Sequence, residues 1–186
     1  MIKIIVGLFL IVFDYVISFD GKANFDLLPD FVGYAIIAYG FFRIRKNSGE
    51  ERTEVMIATK QGLISAVVVF VMSYVVYLLD MYGILSGVNE GITIIISVVL
   101  ELGLLLLMFM FIQTLSALQG KDTNFQVKRM LVLWKVMCLC IACEYISLPV
   151  PDVALTFLIF EKAVAVMYMV YVLTADRTYK KKFLAK

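Results

Sequence analysis

The stretch ITIIISVVLELGLLLLMFMFI, Ile92 to Ile112, decides the class of fold. It is apolar from end to end apart from Thr93, Ser97 and a single charge, Glu101. A helix needs about 20 such residues to cross a hydrocarbon core of ~30 Å. A second stretch, ISAVVVFVMSYVVYLL from Ile64 to Leu79, has the same character. The whole chain of 186 residues is 62% hydrophobic, against about 45–50% for a soluble domain. The excess is gathered into runs separated by short polar segments. Working outward from Ile92–Ile112, the pattern predicts six helices at about 3–19, 27–43, 58–80, 91–117, 130–148 and 153–175. The expected fold class is all-α: a polytopic membrane protein, one transmembrane domain over 1–186, closed by a basic cytoplasmic tail at 176–186.

The first run, Ile4 to Phe13 after Lys3, has the shape of a secretory signal. Asp14 interrupts it and no small-x-small cleavage site follows, so it reads as a retained first helix. In the second helix, Pro29 falls in the first turn, where its missing N–H was unpaired anyway. Asp30 then sits at the positive end of the helix dipole.

Basic residues set the expected orientation. Lys3, the segment with Arg43, Arg45, Lys46, Arg52 and Lys60, the segment with Lys121, Lys128 and Arg129, and the tail with Arg177, Lys180, Lys181, Lys182 and Lys186 fall on one side of a six-helix chain. The other side carries Asp20, Asp26, Asp30, Asp80, Glu90 and Asp152, with Lys22 as its one base. The positive-inside rule then puts both termini in the cytoplasm and the chain in the cell membrane. The tail interleaves its positives with Tyr179, Phe183 and Leu184. It reads first as a topology signal and second as a segment lying on the anionic inner leaflet. Trp134 and Lys135 are expected at the cytoplasmic interface, where amphipathic side chains settle.

What remains is a set of charges inside the apolar runs. Each costs ~2.5–3.5 kcal/mol at a helix centre even on the lenient insertion scale. They fall on stripes at helical spacing: Glu90, Thr93, Ser97 and Glu101 in helix four, Cys140, Glu144 and Ser147 in helix five, Glu161 and Tyr168 in helix six, and Gly7, Asp14 and Ser18 in helix one. Below Glu101 helix four is apolar from Leu102 to Ile112. The expected arrangement is a polar interior in the outer half of the bundle, closed below by apolar packing. Asp14, Ser97, Glu101, Glu144, Glu161, Lys162 and Tyr168 are the candidate ligand-binding residues. Glu161 and Lys162 diverge by about 100° as helical neighbours, so Lys162 is expected to reach Glu101 or Glu144. Against this stands the plainer reading that the charges are interhelical contacts, worth only ~0.6 kcal/mol each on average.

Other chemistry is narrowed by composition. There is no histidine, which removes His-dependent zinc, haem and Ser-His-Asp or Cys-His sites. Cys138, Cys140 and Cys143, with Met137, Met167 and Met169, are soft donors of the kind Cu(I) takes. Free cysteine is also a common small buried residue, and neither metal nor cofactor is expected. A net charge of +2 gives no reason to expect nucleic acid. Gly33 and Gly40 share a face of helix two and are expected to admit a close helix neighbour. Tyr15, Tyr34, Tyr82 and Tyr145 fit an aromatic belt. The acids Asp14, Asp80 and Glu144, each near a helix end and followed by a second acid, outline three similar hairpins.

The segment Phe25-Asp26-Leu27-Leu28-Pro29-Asp30-Phe31-Val32-Gly33-Tyr34 resembles a loop-plus-helix signature of small six-helix bacterial membrane proteins; that resemblance implies no activity. In size and topology the chain is similar to the substrate-binding S components of energy-coupling-factor transporters. That similarity implies a six-helix protein taking a small solute from the outer side. Three functional readings follow. The first is binding or transport of a small solute, cationic or amine-bearing. The second is a non-catalytic accessory or scaffold subunit, with a membrane protein or a second copy as partner in the lipid bilayer. The third is an intramembrane enzyme using Glu101 and Glu161 as paired carboxylates, ranked last because no nucleophile or metal motif accompanies them.

Overall fold

In the computed structural model, residues 1–13, 16–19, 23–26, 29–48, 53–119 and 124–183 are described. Six helices account for most of them: α1 (Ile2–Val12), α2 (Asp30–Asn47), α3 (Thr53–Met81), α4 (Glu90–Gln119), α5 (Asn124–Ile146) and α6 (Pro151–Phe183). Between α1 and α2 lies an antiparallel hairpin, β1 (Val16–Phe19) with β2 (Ala23–Asp26), in the register Val16 to Asp26 and Phe19 to Ala23.

Helices α3 and α5 begin at Thr53 and Asn124 rather than near 58 and 130, and two other sequence-based boundaries move further. The first helix ends at Val12 rather than near residue 19. Val16, Ile17 and Phe19 are β-branched or aromatic, and short apolar runs of that kind serve strand and helix alike. At the other end, α6 does not stop near residue 175 but continues through the basic segment to Phe183. Lysine and arginine are good helix formers, so nothing local breaks the helix there.

The breaks between helices follow from local chemistry. Gly83 has φ 67°, a conformation open to glycine at little cost. Its N–H donates to the Asp80 carbonyl (2.8 Å) and the Ile84 N–H to the Leu79 carbonyl (2.9 Å). That is the Schellman pattern that ends α3. Pro149 and Pro151 separate α5 from α6, and Pro151 takes the first helical position, where proline is tolerated.

Each helix packs on its neighbours in the chain, and α1 also touches α6. Consecutive helices are antiparallel: Ile4 meets Gly40 while Gly7 meets Gly33, and Phe31 meets Phe70, Tyr74 and Tyr77 while Phe41 meets Gly62. The α1–α2 contact is the closest. A Cβ on Gly7 would lie 2.5 Å from the Gly33 carbonyl oxygen, and one on Gly33 2.8 Å from that of Gly7. Gly33 and Gly40 both face α1, as their shared helix face led one to expect.

Alternation gathers Lys3, Arg43, Arg45, Lys46, Lys60, Lys128 and Arg129 at one end of the bundle and Asp30, Asp80 and Asp152 at the other. They are called the basic and acidic ends below. Towards the basic end the core is dense: Phe41, Phe111, Leu115, Met130 and Met137 have no exposed surface. Towards the acidic end α4 leaves Ile92, Ile94, Ile95 and Val99 exposed, and α6 leaves Leu155, Ile159 and Phe160 so. Three helical stretches, Thr53–Met81, Gly91–Leu118 and Pro151–Ala175, are long and apolar enough to cross a membrane. Continuous rows of bare Ile, Val and Leu on these helices would be a liability in water. Together with the three long apolar helices they mark a membrane protein. Helix α1, at 11 residues, rises only ~17 Å.

Candidate functional site

Two hydrogen bonds to the main chain of α4 position the polar residues. The Tyr168 hydroxyl of α6 donates to the Met108 carbonyl at 2.8 Å. Trp134 Nε1 of α5 donates to the Leu105 carbonyl at 2.7 Å, its ring against Phe109. The first gives a fully buried hydroxyl its partner, and the second satisfies a half-buried indole N–H. They also set the vertical register of α5 and α6 against α4.

That register brings the acids together. Met108 and Tyr168 are separated by 60 positions. Glu101 and Glu161 are separated by the same interval, and α4 and α6 both run from the acidic to the basic end. Both acids therefore stand seven residues above the Tyr168–Met108 bond, at one level roughly 10 Å away from it. Helix α5 runs the other way. Counting from the Trp134–Leu105 bond, Glu144 lies about six residues, or ~9 Å, closer to the acidic end than Glu101 does. Glu101, Glu144 and Glu161 lie within electrostatic range of one another, and Lys162 within range of all three.

Glu161 is only 2% exposed. Lys162 Nζ lies 3.7 Å from Glu161 Oε1, and 42% of the lysine side chain is exposed. This corrects the expectation that Lys162 turns to another helix. Their Cβ atoms diverge, but a four-carbon stem is long enough to bring the ammonium back beside its neighbour. The Tyr145 hydroxyl lies within interaction range of Glu101. With these contacts made, Glu101 Oε2, Glu144 Oε2 and Glu161 Oε2 are each buried without a hydrogen-bond partner.

The remaining candidates stand apart. Tyr168 is fully buried and committed to the Met108 carbonyl, so it belongs to the packing beneath the acids. Ser97 is exposed and donates to the Thr93 carbonyl of its own helix at 3.2 Å. Asp14 lies outside the described residues. Trp134 ties α5 to α4. Tyr145, read as part of an aromatic belt, is a partner of Glu101. Its position next to Glu144 on the helix that packs on α4 was the available signal. Cys140 is buried and within electrostatic range of Glu161. Among the described residues, no group of three acids or cysteines stands close enough to hold a metal ion.

Chemically, the site is a three-helix cluster of carboxylates with one base beside it. It offers acceptors and negative charge, with the free Cys140 thiol within electrostatic range of Glu161. No family model matches the chain, and no characterised protein or solved structure resembling it was found.

Proposed function

We propose that this chain is a multi-pass protein of the cell membrane that binds or transports a small cationic or amine-bearing solute reaching it from the outer side. In this reading six helices lie in the bilayer with both termini in the cytoplasm. The common basic end supports that orientation through the positive-inside rule. Helix α1 reaches part of the way across, and the β1–β2 hairpin continues the chain at the outer surface.

The observation that carries the reading is the set of three buried carboxylate oxygens, one from each of α4, α5 and α6, with no hydrogen-bond partner. Buried polar groups are ordinarily satisfied, and leaving one unpaired costs about 1–3 kcal/mol, more if charged. Acids kept only to hold helices in register would spend their oxygens on each other's helices. Here the described contacts are Tyr145 on Glu101 and Lys162 beside Glu161. A cationic ligand supplies both the missing donors and the missing charge.

The test is binding of methylammonium to the protein in lipid nanodiscs. Wild type is expected to bind, and Glu101→Gln and Glu161→Gln to lose binding while keeping their melting temperature. Normal binding in both folded variants removes the site.

A second reading, an accessory subunit or homo-oligomer, is favoured by a different feature. Between α3 and α4 at the basic end lies a cleft of about 370 Å³ lined by Glu54, Ile57, Ala58, Gln61, Gln113, Ser116 and Ala117. Exposed carboxamides on helices in lipid are suited to hydrogen bonds with another helix. Co-purification with a partner, lost in Gln61→Leu/Gln113→Leu, supports it; a monomer with no partner counts against it.

A further inference from the structure

We propose that Lys162 is a tethered counter-ion that occupies the acidic site until a primary or secondary alkylammonium displaces it. This rests on the solute-binding reading above and adds the class of ligand and the residue that governs affinity.

The ion pair is loose. At 3.7 Å, Nζ stands beyond hydrogen-bond length from Glu161 Oε1, and nearly half of the lysine side chain is exposed while its partner is buried. A strong buried pair is short and has its remaining lone pairs satisfied. This one leaves Glu161 Oε2 bare, together with Glu101 Oε2 and Glu144 Oε2. Lysine is a compact charge on a flexible stem, and Lys162 also lies in range of Glu144, which is nearer the acidic end. When another cation takes Glu161, Lys162 therefore has an acid to move to and is not left in hydrocarbon.

The bare oxygens also select the ligand. Each needs a donor as well as a charge, and an alkylammonium carries up to three N–H donors. A quaternary ammonium brings charge and no donor, so it leaves the oxygens unsatisfied. A bare metal ion needs several oxygens within about 2.6 Å, and among the described residues no group of three acids is placed to hold one. An alkylammonium, whose N–H donors fan out in different directions from one nitrogen, suits Glu101 and Glu161, side by side at one depth.

A tethered competitor weakens ligand binding in proportion to the time it holds the site, because apparent affinity scales with the fraction of protein that is competent. The experiment is titration of wild type, Lys162→Gln, Lys162→Arg and Glu161→Gln in nanodiscs with methylammonium and with tetramethylammonium, melting temperatures being taken for each. Wild type is expected to prefer methylammonium. Lys162→Gln should bind it on the order of ten-fold more tightly. Lys162→Arg, whose planar fork grips a carboxylate in two places, should bind more weakly than wild type, and Glu161→Gln should not bind. If wild type binds methylammonium but Lys162→Gln binds equally or less well, the counter-ion role is overturned and the solute-binding reading stands. Should Lys162→Gln fail to fold, tighter binding by Lys162→Arg than by wild type overturns it. Equal affinity for tetramethylammonium overturns the ligand class. If wild type binds neither probe, both readings fall together.

Discussion

The half of the bundle towards the basic end and the half towards the acidic end are built from the same six helices on opposite terms. In the first, Phe111 of α4 stacks edge-on to Phe41 of α2, Tyr168 and Trp134 cap carbonyls of α4, and side chains such as Leu115 and Met130 have no exposed surface. In the second, α4 turns isoleucines outward, and the interior holds three carboxylates with spare acceptors. Lipid tails are as apolar as leucine, so helices in a membrane are held by close packing and hydrogen bonds rather than by a hydrophobic drive. The packed half therefore provides stability. The charged half leaves acceptors unsatisfied, which a region kept only for stability avoids.

The strongest way to break this division is at the α1–α2 crossing. Gly7→Val places a branched side chain where even a Cβ meets the Gly33 carbonyl oxygen at 2.5 Å, so the two backbones must part. A loss of about 3 kcal/mol is expected, measured as reversible unfolding in mixed micelles. Next comes Phe111→Ala. With the transfer term largely absent in lipid, the cavity term remains, and roughly 2 kcal/mol should be lost. Ile95→Ala in the open half should lose nothing measurable, and equal losses at the two positions would abolish the distinction. Tyr168→Phe removes one buried hydrogen bond while keeping the ring. It should cost about 0.6 kcal/mol, and no more than about 1.7 kcal/mol. The smallest effect on stability is expected from Glu144→Gln, within about 0.5 kcal/mol, while its affinity for methylammonium falls. A large loss of stability there would show that the acids are structural after all.

Much of this was legible in the sequence, for identifiable reasons. Helices α3 and α4 announce themselves because long apolar runs with few charges suit only a bilayer. That Glu101, Glu144 and Glu161 turn into the bundle follows from the cost of placing a charge in such a run. The hairpin at Val16–Phe19 was not legible, since four apolar residues suit either kind of backbone. Nor was the helical course of the basic segment to Phe183, because its charge signals topology and says nothing against a helix. The three expected hairpins also prove unlike one another: β1–β2 joins α1 to α2, a single 3₁₀ turn at Leu85–Gly87 joins α3 to α4, and a proline-bounded turn joins α5 to α6.

The sequence by itself determined that long apolar helices dominate, that the bases share one end, and that a few acids are stranded among apolar residues. Each follows from composition and period along one chain. Tertiary structure alone decided which acids meet. Glu101 and Glu161 share a level because Tyr168 bonds to Met108. Tyr145 reaches Glu101 because α5 packs on α4. Lys162 turns to its own neighbour because its flexible stem overcomes the divergence of adjacent helical positions. Contacts between residues tens of positions apart depend on how helices slide and rotate against one another, and that is set by packing rather than by any local pattern.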